Sequence, residues 1–425
     1  MSSSPLPADT QGAAPRAGWA PWWVLACIAA WPWVAPANVA IALGAVVTIG
    51  WLGLRRFRGG DALLSREAWA LTSALFFSYW LPELFSCVDA ISPLASLREV
   101  AADLRYLPFL WLVAIAVHRE ADRRVVWNGI ALVALFWAAD GLVQAIAGRS
   151  LGGALEGDRI AGLFGRHERL GQVLASLAAF PLGVASRRAG AAGWIGAAVL
   201  IGAVIALAGS RAAWITFALV LAFGGWRLLG WKRMLGVFAA AAIAMVALAA
   251  LFPREMHERI DRTQQVFAGD ARGFDAATSG RLRIWEAAGC MAVHHPVNGV
   301  GVRGFRRAYP ECAPRDLGPA PWGEGDALHA HQIVLEILSE TGLLGLLLWC
   351  IGAALALRAW RFATPAARAR AAMPALALAV TVFPLNTHLA FYSSFWAGVT
   401  LVLAGLYAGA LFGLERGGAR DAEPA

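Results

Sequence analysis

The feature that most constrains this chain is where its charges fall: apolar stretches recur from about residue 22 to residue 414, and the charged residues lie largely between them. A helix needs roughly 20 apolar residues to cross the hydrocarbon core of a bilayer. The pattern predicts about twelve spans, near 22–36, 38–54, 68–86, 106–118, 125–147, 170–186, 193–209, 213–230, 234–252, 332–357, 372–390 and 395–414. Composition agrees, with 59% hydrophobic and 15% charged residues. A soluble domain carries about 45–50% and roughly 25%, so an ordinary soluble enzyme is excluded and an all-α polytopic membrane protein is expected.

The net charge of +8 does not point to nucleic acid, because the basic residues form short clusters between apolar runs. Such clusters set orientation, the basic loops staying inside. Of 36 basic residues only Lys232 is a lysine. Every second connection is basic: Arg55, Arg56 and Arg58; Arg119, Arg123 and Arg124; Arg187 and Arg188; Arg227, Lys232 and Arg233; Arg358, Arg361, Arg368 and Arg370. With Arg416 and Arg420 in the tail, both termini are expected on the cytoplasmic side. The first 20 residues lack an apolar core, so the first run is expected to remain as an uncleaved span. The chain then divides into 1–252 with nine spans, a hydrophilic outer loop domain at 253–330, and 331–425 with three spans.

The outer connections, near 87–105, 148–169 and 253–330, hold basic residues that run against the charge bias, among them Arg159, Arg211, Arg281 and Arg283. Long loops escape that bias, but Arg211 sits in a connection of a few residues, where an ionisable side chain is a functional candidate. For Arg159, Arg166 and Arg169 a solvated loop face is an equal alternative. Residues 93–104 place Leu94, Leu97, Ala101 and Leu104 at helical intervals, which predicts a helix lying flat at the outer interface. Ser279 reads as the N-cap of a helix over 280–294 that Pro296 ends.

Four histidines, His294, His295, His329 and His331, fall in the outer loop, without a carboxylate or cysteine at metal-ligand spacing, so a metal site is not expected. His331 heads the tenth run, where a near-neutral imidazole could accept a proton from a hydroxyl; a purely interfacial role is equally open. Glu336 and Glu340 follow it and are costly against lipid, so they are expected to turn inward, towards arginine. Cys290 and Cys312 share the outer loop and could bond, although their separation in sequence does not decide it.

Five ordered pieces resemble the O-antigen ligase and polymerase superfamily of bacterial inner-membrane glycan transferases: Arg159-x-x-Gly-x-Phe164, Gly209-Ser-Arg211, Ser279-Gly-Arg281-x-x-x-Trp285, His295-Pro-x-x-Gly-x-Gly301 with Phe305, and His331-x-x-x-Leu-x-x-Leu-x-Glu340-x-Gly-x-x-Gly345. The resemblance implies a GT-C-like fold of about twelve helices with one large periplasmic loop. It also implies metal-independent, inverting transfer of a glycan from undecaprenyl pyrophosphate to lipid A–core at the periplasmic face of the inner membrane, as in lipopolysaccharide maturation, with no cofactor. On that likeness His331 would be the general base, Arg211 and Arg281 would bind the departing pyrophosphate, and Arg159, Arg166, Arg283 and Arg303 would be secondary ligands to it. Gln332 departs from the Asn or Ser common after this histidine. The single large outer loop looks more like a ligase than an O-antigen polymerase. Protein-directed transferases are a third relation, and a transporter, which would show repeats and midplane charges, is the alternative of another class.

Overall fold

In a computed structural model of the protein the described residues are 18–155, 157, 159–167, 169–251, 275, 278, 280–314, 322, 326–387 and 390–414, side chains excepted at 166, 167, 227 and 240–251. They form helices α1 (Ala20–Ala29), α2 (Val34–Phe57), α3 (Arg66–Ser86), α4 (Pro93–Asp103), α5 (Tyr106–His118), α6 (Glu120–Ala147), α7 (Leu170–Leu177), α8 (Ala179–Leu207), α9 (Arg211–Leu251), α10 (Arg281–His294), α11 (Phe305–Cys312), α12 (Ile333–Phe362), α13 (Pro365–Thr381) and α14 (Ser394–Leu411). A two-residue hairpin, β1 (Arg149–Ser150) with β2 (Gly153–Ala154), follows α6.

The centre of the bundle is α14, in which every residue from Phe395 to Leu411 is buried. A helix apolar all round belongs inside, and small residues let it sit there: a methyl on Gly405 would lie 3.0 Å from Val113 Cγ1, so α5 and α14 approach almost backbone to backbone. By contrast α2 exposes Val39, Leu43, Val46 and Ile49, as a lipid-facing helix should. Helix starts follow local chemistry. Ser65, Thr364 and Ser393 each accept the backbone N–H three residues on, from Ala68, Ala367 and Trp396.

Among the described residues six helical segments are long and apolar enough to cross a bilayer: Val34–Phe57, Pro93–His118, Glu120–Ala147, Ala179–Leu207, Ile333–Phe362 and Ser394–Leu411. The protein is thus a mostly helical, polytopic membrane protein. The expected spans fall largely on helix but are divided differently. Runs 193–209 and 213–230 each share a long helix with a neighbour, joined across kinks at Gly190 (φ 57°) in α8 and Gly230 (φ 75°) in α9. The run 372–390 is helical only to Thr381; Pro384 disfavours helix before it, and Asn386 Nδ2 caps the end by donating to Thr381 O at 3.0 Å. The segment that follows is a loop, and it matters for the site.

Helix α4 forms over the expected residues, with Leu94, Leu97 and Leu104 exposed while Ser96, Val100 and Asp103 face the protein. Above the bundle, α10 and α11 share a second core of Ile284, Ala288, Met291, Phe305 and Tyr309, and the Cys290–Cys312 disulfide joins them with a Cα separation of 5.7 Å. This small layer is keyed into the bundle at a break in one of its helices. Helix α12 breaks at Gly342 (φ 67°), and the turn after α10 threads the break: Val300 and Gly301 donate to Ser339 O and Glu340 O, while Leu343 donates back to Pro296 O. A methyl on Gly342 would collide with Val297 O, and one on Gly299 with the Glu340 carbonyl.

Candidate active site

The end of the bundle that carries this interlock also gathers most of the candidate residues. Gln144 of α6 fixes the loop after the hairpin, its Oε1 accepting from Ala161 and Gly162 N–H, both at 2.8 Å. With Ile160 and Phe164 buried as anchors, that loop lays the Arg159 side chain over Gly209, 3.2 Å from where a Cβ would stand. Gly209 takes φ 70° between α8 and α9, and Arg211 begins α9 in an exposed position. Arg281 begins α10 after Gly280, which takes φ 78°; Ser279, expected as the cap, lies outside the described residues.

Arg281 and Arg211 are electrostatic neighbours. Burial and the second guanidinium together push the Arg281 pKa down to about 10. The hydrogen bond of the Arg281 side chain goes to a hydroxyl, Nη1 donating to Thr387 Oγ1 at 2.9 Å in the loop between α13 and α14. Arg281 is thus a half-buried cation that feels a second one, an electrostatic setting favourable to negative charge.

The histidines enter from α12. Gln332 is its N-cap, with Oε1 accepting from Leu335 N–H at 2.6 Å while Nε2 donates to Pro384 O at 2.5 Å. A shorter Asn or Ser could cap, but only the longer side chain both caps and reaches the loop that carries Thr387. The preceding His331 has φ 55°, and Arg303 has φ 66°; among the described residues no other non-glycine has positive φ. Such a conformation costs of order 1–3 kcal/mol and is found at sites where function holds it. The His331 ring lies against that of His329, with centroids 4.0 Å apart. His329 is held neutral, its pKa pushed down to about 4 by burial and by the charges of Arg303 and Arg169.

Residues 196–350 match the O-antigen ligase family model. Over that segment the chain is similar to the O-antigen ligase family, which supports a transferase of the ligase and polymerase type. The matched segment contains Arg211, Arg281, Arg283, Arg303 and His331, while Arg159, Arg169 and Thr387 fall outside it. No curated protein matches the chain.

Two of the secondary arginines within the matched segment are held by acids. Arg283 is buried and bonded to Asp275, Nε to Oδ2 at 2.7 Å, and Asp275 Oδ1 also accepts the Arg283 N–H. That pair fixes the start of α10. Arg303 donates to Glu99 Oε1 at 2.6 Å, and its N–H to Glu340 Oε2 at 3.3 Å, tying the keyed turn to α4 and α12. Its pKa is raised by these acids. Glu340 thus turns inward to Arg303, as expected, whereas Glu336 Oε1 accepts from Tyr392 N–H. The Arg166 side chain lies outside the described residues. Thr387, Asp275 and the loop after α13 were not legible, because an isolated Thr or Asp carries no pattern in one sequence.

Proposed function

We propose that the protein is an O-antigen ligase that transfers a glycan from undecaprenyl pyrophosphate to lipid A–core on the periplasmic face of the bacterial inner membrane. The observation that carries the reading is the pairing of Arg211 with Arg281 at the same end of the bundle as the strained His331. A pyrophosphate leaving an anomeric carbon gains negative charge on its oxygens, and fixed guanidinium groups in a partly dehydrated site stabilise that charge more than water does. Arg159, laid over Gly209 beside Arg211, extends the cationic wall. His331 takes the proton from the acceptor hydroxyl as its oxygen attacks the anomeric carbon opposite the leaving group, which gives inversion. Arginine supplies the positive charge that a metal provides elsewhere.

On this reading both termini are cytoplasmic. The interlock of α10 and α12 holds the His331 and arginine segments in fixed relation across the mouth of the membrane domain. The test is product analysis with purified protein, chelator and carrier-linked glycan, with lipid A–core added or omitted. Glycosylated lipid A–core appearing only with acceptor supports the ligase; lengthening of the carrier-linked glycan without acceptor makes the protein a polymerase. If neither product forms, the transferase reading fails and transport becomes the better account.

A further inference from the structure

In sequence the four histidines of the outer loop show no metal pattern, but folding gives one of them sulfur neighbours. Cys290 and His294 stand four residues apart on α10, hence on one face of it, and α11 brings Cys312 to the same spot. The His294 ring is set by its Nδ1–H, which donates to the Cys290 carbonyl at 2.8 Å. The same nitrogen lies 3.6 Å from Cys290 Sγ, and Nδ1 and the two sulfurs all lie within 4.8 Å of one another. His294 is exposed and both cysteines are partly so, which leaves the group open to solvent.

Two thiolates and an imidazole are a donor set suited to zinc. With Zn–S about 2.3 Å and Zn–N about 2.0–2.1 Å in a tetrahedron, sulfur and nitrogen stand about 3.6 Å apart. Cys290 Sγ and His294 Nδ1 already have that separation, both cysteine side chains reach one point from Cα atoms 5.7 Å apart, and the sulfur–sulfur bond alone stands in the way. We propose that, with this disulfide reduced, the protein binds one zinc-class divalent cation through Cys290, His294 and Cys312, with water in the fourth position, so that metal and disulfide are alternative ties between α10 and α11. A small dithiol supplies the electrons. Its thiolate attacks one sulfur of the disulfide, its second thiol releases the mixed disulfide, and it departs oxidised, leaving Cys290 and Cys312 as thiols. Zn²⁺ displaces their protons to solvent, while the imidazole gives up its carbonyl bond, carries its proton on Nε2 and coordinates through Nδ1. The inference uses none of the residues given to glycan transfer and stands apart from that reading.

The test uses full-length protein in detergent, oxidised or reduced with a dithiol that is then removed under inert gas, with Zn²⁺ and Co²⁺ as the probes. Equilibrium dialysis should find one more Zn²⁺ per reduced chain than per oxidised chain. Cys27, Cys87 and Cys350 are free thiols in both states, so the difference isolates the bonded pair. Co²⁺ should give the reduced protein a near-ultraviolet thiolate-to-metal absorption band beyond any in the oxidised protein. His294→Ala is expected to weaken Zn²⁺ binding by about tenfold or more, and Cys312→Ser, which has no disulfide to reduce, should lack the extra site in either condition. Zn²⁺ should also raise the melting temperature of the reduced protein and leave that of the oxidised protein unchanged. Equal uptake by the two states, a His294→Ala variant that binds as tightly as the unmutated protein, or a reduced chain that neither takes up Zn²⁺ nor gains in melting temperature overturns the assignment.

Discussion

On the proposed function Arg211 and Arg281 meet the pyrophosphate by shape as well as charge, since an oxygen pair is best met by two parallel N–H groups. Arg211→Lys is therefore expected to lower kcat/KM roughly tenfold to a hundredfold, and near-normal turnover would argue against the leaving-group role. His329 makes a separate prediction about stability. Its pKa is depressed from 6.5 to about 4 in the folded protein, so between those values the unfolded chain takes up a proton that the folded one refuses. The stability contribution is present above pH 6.5 and is lost as pH falls towards 4. Thermal unfolding in detergent should show that decline, and His329→Gln should flatten it. Of the individual residues, Arg211 and His331 stood out in the sequence by position. Whether an arginine was free or spent was not legible, because Arg283 and Arg303 differ from Arg281 only in the acids that folding brings to them from Asp275 and Glu99.

Among the elements, the keyed contact between α12 and the turn after α10 explains the glycines at 299 and 342, whereas Gly301 is required by its approach to Ala90 and Gly345 by Thr341 and Pro82. Gly299→Ala or Gly342→Ala places a methyl into opposing backbone at positive φ, and each is expected to destabilise by about 2 kcal/mol or more. A fall in melting temperature accompanied by loss of transfer checks it. Motif spacing announced these positions, but their purpose as two strands of backbone passing each other appears only when α12 is seen to break. The helix end at Thr381 was hidden for a similar reason. The apolar run continues past it, and Pro384 together with the Asn386 cap outweighs hydropathy. Helix existence was well marked in the sequence, whereas kinks such as Gly190 were not, since a tight glycine turn leaves the apolar pattern unbroken.

The whole molecule has two chemically distinct ends. At one, backbone carbonyls at helix ends meet arginines, with Arg123 donating to Val117 O and His118 O and Arg370 to Ala410 O and Leu411 O. The other holds Arg159, Arg169, Arg211, Arg281 and His331. The disulfide between α10 and α11 stiffens the layer above that second end, and its reduction is expected to lower the melting temperature while leaving the bundle helical, as circular dichroism would show. On the proposed function one site joins a base to a pyrophosphate-binding arginine pair. Its most direct test compares unmutated protein with His331→Ala, measuring glycan transfer to lipid A–core and, in parallel, binding of the undecaprenyl pyrophosphate donor. Transfer is predicted to fall by about a hundredfold or more with donor binding intact. Turnover within a few-fold of the unmutated protein would contradict the account.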